Sequence, residues 1–229
     1  YLEILGTNYH SDNILGMGIY NEEISLYVPF DVLKNNPEFL TDNPKCTYDL
    51  KKVVVALKHQ GIEISNINFD AMLAAYVLNY NIRDDIAYLG NQLGYDIPFY
   101  EVISKAKELD EKVVADLCVR KARFIYETQE RFDDELKKEG SYNLFNDIEM
   151  PLAFVLGNME YEGIRVDKNI LLDMVEEIKI KLELLTKDIY NLSGTEFNIM
   201  SPKQLGEVLF NKLNIPYKGN PKKGFSTSR

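Results

Sequence analysis

Met159-Glu160-Tyr161-Glu162-Gly163-Ile164-Arg165-Val166-Asp167 is the stretch on which the reading of this chain turns. Before it, Leu144, Ile148, Leu152, Val155, Leu156 and Met159 recur three and four apart, the period of one helix face. The spacing predicts a helix over 143–162, stopped by Gly163. Ile164-Arg165-Val166 reads as a short extended link. Asp167 suits an N-cap, because its carboxylate can accept from the free amides of a first turn. The helix it opens is predicted to run to about Asn191, with Leu171, Met174, Val175, Ile178, Leu182, Leu185 and Ile189 on one face. Two long helices with a tight link make a helical hairpin. A third helix is predicted over 202–213, with Pro202 in the first turn, where a missing amide costs nothing. Residues 214–229 hold Pro216, Gly219, Pro221 and Gly224 and read as a basic loop.

Upstream the pattern is different. Residues 2–5, 14–20 and 24–28 are short, rich in Ile, Leu and Tyr, and read as strands. Asn21-Glu22-Glu23 suits a hairpin turn, and Pro29 ends the third strand. Helices are predicted from Asp49 to a stop at Gly61, over 69–78, over 84–94 and over 110–138, with a strand over 62–67. Strands with helices between them point to an α/β domain in which a mixed sheet is flanked by helices. Glu139-Gly140-Ser141 is the clearest punctuation. The expected domains are therefore 1–140, α/β, and 141–229, all-α.

The chain has 229 residues, 45% hydrophobic and 27% charged, an ordinary globular composition. No stretch is apolar for long enough to suggest a membrane span. There is no secretory signal pattern, and a chain opening inside a strand suggests a natural N-terminus further upstream. Net charge is −10, which argues against a general nucleic-acid coat. The charge is uneven: residues 195–229 carry +4 and the rest −14, so a phosphate contact is expected in the tail. Cys46 and Cys118 form no Cys-x-x-Cys pair, and His10 and His59 are the two histidines, so a zinc site is not expected. Buried thiols in a reducing compartment fit that usage.

Three segments carry a family resemblance: the opening stretch 159–167, then Glu196-Phe197-Asn198-Ile199-Met200-Ser201-Pro202-Lys203-Gln204-Leu205-Gly206, then Gly224-Phe225-Ser226-Thr227-Ser228. In this order and spacing they resemble the thumb entry of family A DNA polymerases, the bacterial DNA polymerase I group. Phe69-Asp70-Ala71-Met72-Leu73-Ala74-Ala75-Tyr76 resembles a helix of the same family's 3′–5′ exonuclease-like domain, and the likeness to the Gram-positive type covers nearly the whole chain. It implies a ribonuclease H-like exonuclease fold over 1–140 and the thumb segment of the polymerase over 141–229.

In active members of the family, four carboxylates hold two metals that activate water and stabilise the leaving oxygen. Hard cations need oxygen ligands. The family's Asp-x-Glu strand aligns with Leu2-Glu3-Ile4-Leu5, where a single carboxylate, Glu3, survives. Tyr48-Asp49 matches the second motif; Asp49 reads either as a metal ligand or as the N-cap of the helix it precedes. The Tyr-x-x-x-Asp motif aligns with Leu117 and Lys121, placing an ammonium where a metal should sit. Asp70 matches a family aspartate outside the metal cluster. Glu3, Asp49, Leu117 and Lys121 are thus vestigial exonuclease positions, with no catalytic residue and no metal expected. The alternative is an active exonuclease with shifted ligands, Glu3, Asp12, Asp49 and Asp116.

The resemblance assigns DNA contacts to Asn198, Ser201 and Lys203, since amide, hydroxyl and ammonium groups at a helix start are suitable phosphate donors. Met200 stands where the family often has Asn. Lys222, Lys223, Ser226, Thr227 and Ser228 form a second expected patch. Helix capping by Ser201 and solvated lysines are the plainer reading of the same residues. The palm aspartates and fingers helix needed for nucleotidyl transfer are not in this sequence. The expectation is a fragment without its own activity or cofactor, from a Mg²⁺-dependent DNA-directed DNA polymerase of replication and repair. Its partners would be double-stranded primer-template DNA and the palm and fingers, in a monomeric cytoplasmic enzyme. A non-enzymatic interaction module using helices 143–191 is the reading from another class.

Overall fold

A computed structural model describes residues 1–217. Contacts divide the chain into two compact units, Tyr1–Gly163 and Ile164–Arg229. The division of contacts falls at the Gly163 stop.

The first unit opens with β1 (Leu2–Leu5), β2 (Asn13–Tyr20) and β3 (Ser25–Pro29), an antiparallel sheet in the order β1-β2-β3. In the hairpin turn the Asn21 side-chain oxygen accepts from the amides of Glu23 and Ile24. The β1–β2 register slips once: Glu3 faces Gly16, but Ile4 faces Ile14, so Leu15 is bulged out. The Tyr27 hydroxyl on β3 donates to the Leu15 carbonyl, 2.7 Å, and satisfies it. With this irregularity Leu2, Glu3 and Ile4 are all buried, where a regular strand would turn every second residue outward.

Short helices α1 (Phe30–Asn35) and α2 (Phe39–Asp42) follow, then β4 (Lys45–Thr47). β4 pairs in parallel with β5 (Ile67–Asp70), so the parallel and antiparallel pairings run in two separate hydrogen-bonded ladders. The strand expected over 62–67 thus begins where that prediction ended. Ile62 and Ile64 are buried but lie outside the ladder, and Asn66, at φ 56, makes the turn into β5. Between the two strands runs α3 (Leu50–His59), and after them α4 (Ala71–Val77) and α5 (Ile86–Gln92). Leu50, Val53, Val54 and Leu57 are buried as their spacing predicts. Val55 and Ala56 are buried too, and the helix α8 (Met150–Glu162) packs on α3.

After α6 (Glu101–Ser104), α7 (Glu111–Lys138) packs across β2 and β3. The approach is close: a Cβ on Gly18 of β2 would stand 2.2 Å from the Cys118 carbonyl oxygen. Phe69, Phe132 and Phe145 meet in the core beneath it. The helix expected over 143–162 is in two parts, a π-helical turn (Leu144–Glu149) and α8. Pro151 has no amide to close an i−4 bond, and the wider turn accommodates that gap.

The second unit contains α9 (Lys168–Ser193) and α10 (Pro202–Gly206), which continues as a π-helical turn (Glu207–Lys212). Asp167 caps α9, its Oδ1 accepting from the amides of Asn169 at 2.9 Å and Ile170 at 3.4 Å. At the other end Gly194 takes the left-handed conformation, and Lys212 Nζ donates to its carbonyl, 2.7 Å. Among the described residues no helix is long and apolar enough to cross a membrane.

Candidate functional site

β1 and α7 bring together two residues 118 positions apart. Lys121 Nζ donates to Glu3 Oε2 at 2.6 Å, and the side chains are 1% and 2% exposed. The Tyr1 ring lies 4.7 Å from the same ammonium, a cation–π contact. Burial pushes the Glu3 carboxyl up, and the charge and hydrogen bond of Lys121 draw it back. The ammonium therefore neutralises the one carboxylate retained on β1. That oxygen is engaged by a cation covalently tied to the protein.

The other positions aligned with the family's ligand motifs make contacts of their own. Asp49 is a cap: it stands at φ 61, and its side chain accepts from the Lys52 amide at 3.2 Å. Its carboxyl is raised by burial, against the opposing pull of that amide. Leu117 belongs to an apolar cluster with Ile103, Val114 and Cys118. The added carboxylates of the shifted-ligand alternative are engaged locally. Asp12 Oδ2 accepts from the Asn8 amide in its own loop, and Asp116 pairs with Arg120 at 2.8 Å on the surface. Among the described residues, no three of His, Cys, Asp and Glu gather as metal ligands.

Asp70 is fully buried, and its two oxygens accept from four backbone amides. Leu50 and Asp49 open α3; Met72 and Leu73 open α4. One carboxylate thus caps two helices. Burial pushes it up to about 6 even so. Sequence reasoning places Asp70 at a helix start but has no signal for its hold on α3.

Glu160 lies inside the segment that decides the sequence reading, yet its spacing suggests no role for it. Its carboxylate accepts from Lys51, from the Tyr9 hydroxyl, and from His10 Nε2 at 2.9 Å. Burial alone would raise it, but these donors outweigh burial and hold it at about 2. Glu160 ties the β1–β2 loop and α3 to the end of α8, and Gly163 follows at φ 69, ψ −164.

In the second unit the expected DNA-contact groups make a local turn. Ser201 caps α10, accepting from the Gln204 amide at 3.4 Å. Asn198 Oδ1 accepts from Met200, and the Asn198 amide donates to Gln204 Oε1. Lys203 and Asn198 are exposed. Lys222, Lys223, Ser226, Thr227 and Ser228 lie outside the described residues.

Comparison with known proteins gives a consistent picture. The family profile described as DNA polymerase I, ribonuclease H-like domain, matches residues 1–128, and that of DNA polymerase family A matches 168–229. DNA polymerase I of Bacillus subtilis is 37% identical over 238 residues, covering 99% of this chain and 27% of the relative. That of Lactococcus lactis subsp. cremoris is 38% identical over 235 residues, covering 100% of this chain and 26% of the relative. The chain thus spans about a quarter of the length of these relatives. Among solved structures, the POL domain of Pol1 from M. smegmatis, in complex with DNA primer-template and dNTP, matches 88% of this chain and 35% of its own. The TM-score is 0.64 at 23% identity, a likeness of fold.

Proposed function

The chain belongs to the family described as DNA polymerase I, ribonuclease H-like domain, and from that premise we propose that it is part of a bacterial DNA-directed DNA polymerase acting in replication and repair. Residues 1–140 are its exonuclease-like module, without 3′–5′ nuclease activity, and serve as a rigid support. Residues 141–229 begin the polymerase module, whose palm and fingers carry the Mg²⁺-dependent chemistry in a monomeric cytoplasmic enzyme. The observation that carries the loss of nuclease activity is the buried Glu3–Lys121 pair. An ammonium at 2.6 Å satisfies the carboxylate that would otherwise attract a metal, and it repels a divalent ion from the same place. The 3′ end of a labelled single strand should stay intact with this chain in Mg²⁺ or Mn²⁺. Shortening that disappears in Glu3→Gln would overturn the reading.

For the second module we propose phosphate-directed binding of primer-template duplex through Asn198, Ser201 and Lys203, with Lys222, Lys223, Ser226, Thr227 and Ser228 continuing the contact. The exposure of Asn198 and Lys203 beside the α10 start supports this. Such contacts are insensitive to sequence and weaken steeply with salt. Fluorescence anisotropy with a duplex tests it. Replacing Lys203, Lys222 and Lys223 with Ala should weaken binding and flatten its salt dependence, and unchanged binding would remove the assignment.

A further inference from the structure

The two histidines of the chain stand side by side, His10 in the β1–β2 loop and His59 at the end of α3. His10 Nδ1 and His59 Nε2 are 3.2 Å apart. We propose that they form a binding site for one divalent transition-metal ion of the zinc class, clamping the β1–β2 loop to α3.

The two rings make a hydrogen bond, and their geometry also suits a shared ion. A straight N–H···N bond across that gap would put the ring centres about 5.5 Å apart. Rings converging on one ion with Zn–N bonds of about 2.05 Å would bring them to about 5.0 Å, at a bite angle of roughly 100°. The observed separation is 5.0 Å.

The outer partners are those a metal-binding histidine uses. The other nitrogen of His10, Nε2, faces Glu160 Oε1 at 2.9 Å, which fixes the ring and leaves Nδ1 as the donor atom. Glu160 is itself held by Lys51 and Tyr9. His59 is braced edge-on by Tyr161, with ring centres 5.0 Å apart, and Lys58 lies over that tyrosine. Imidazole donors favour Zn²⁺, Ni²⁺ and Cu²⁺ over Mg²⁺ or Ca²⁺. Among the described residues no third His, Cys, Asp or Glu joins the pair, so water completes the shell. The ion is accordingly exchangeable, and it tightens a fold that stands without it.

Calorimetric titration of the tag-free chain with ZnCl₂ at pH 7.5 tests this. We expect one ion per chain and at least tenfold weaker binding in His10→Gln and in His59→Phe. Both histidines are exposed, and far-UV circular dichroism checks that each variant is folded. Absence of binding, unchanged affinity in His59→Phe, or displacement by equimolar Mg²⁺ would each overturn the proposal.

Discussion

Lys121→Met would remove the ammonium from a site that water does not reach and leave the Glu3 carboxylate alone there. Both side chains are at most 2% exposed, and the Nζ–Oε2 separation is 2.6 Å. Breaking a buried pair by deleting one partner costs about 3–5 kcal/mol, because the remaining charge is left uncompensated. Removing both charges is far milder. Glu3→Leu combined with Lys121→Met should recover most of the loss, since a well-packed apolar pair in place of buried ions is often neutral or better. The cycle of single and double variants therefore predicts a coupling of about 2–4 kcal/mol.

Urea unfolding of the full chain, followed by far-UV circular dichroism, measures it. The chain has no tryptophan, so tyrosine fluorescence is the second probe. The loss should depend on pH with a definite sign. Burial raises the Glu3 carboxyl, and Lys121 is what offsets that rise. Without Lys121 the folded state prefers the neutral acid, so the penalty is smallest below the ordinary glutamate range and grows as pH rises through it. A loss below about 1 kcal/mol, the same loss whether or not Glu3 is present, or a penalty equal at pH 4 and pH 8 would refute this reasoning.

Asp70 should contribute a second pH-dependent effect. Its folded carboxyl is raised from 3.8 to about 6, so the stability it confers is greatest below pH 3.8 and is lost as pH rises through about 6. Comparing urea midpoints of the parent and Asp70→Asn across that window should show the parent losing up to about 3 kcal/mol more, since each pH unit between the two values is worth about 1.4 kcal/mol. Parallel curves would contradict it. Gly163→Ala tests the stop that ends α8: at φ 69, ψ −164 the backbone is in a region used essentially by glycine, and no atom lies within 4 Å of an added Cβ. The expected cost is about 1–3 kcal/mol of backbone strain alone, and a thermal midpoint unchanged from the parent would show that the turn relaxes.

The elements legible in the sequence were those whose signals are local. β1, β2 and β3 carry their own turn residues, and α3, α7 and α9 carry an apolar period with an Asp cap in front. β4 was missed because a three-residue strand has no period to detect. β5 was misplaced because Ile62 and Ile64 are apolar for the sake of the core and not of a ladder. The bulge at Leu15 has no signature either, although it accompanies the burial of Glu3. Asp49 has two readings from sequence, and its bond from the Lys52 amide accords with the cap.

Glu3 and Lys121 differ from these in kind. No spacing rule links residues 118 positions apart, and the family resemblance alone brought both into view. What the structure adds is that they satisfy each other. A buried carboxylate on β1 needs a positive charge from somewhere. An active nuclease of this fold would draw that charge from bound metal, whereas here α7 supplies it as part of the chain. On the proposed loss of nuclease activity, the domain would keep its fold through this pair without an ion at this place.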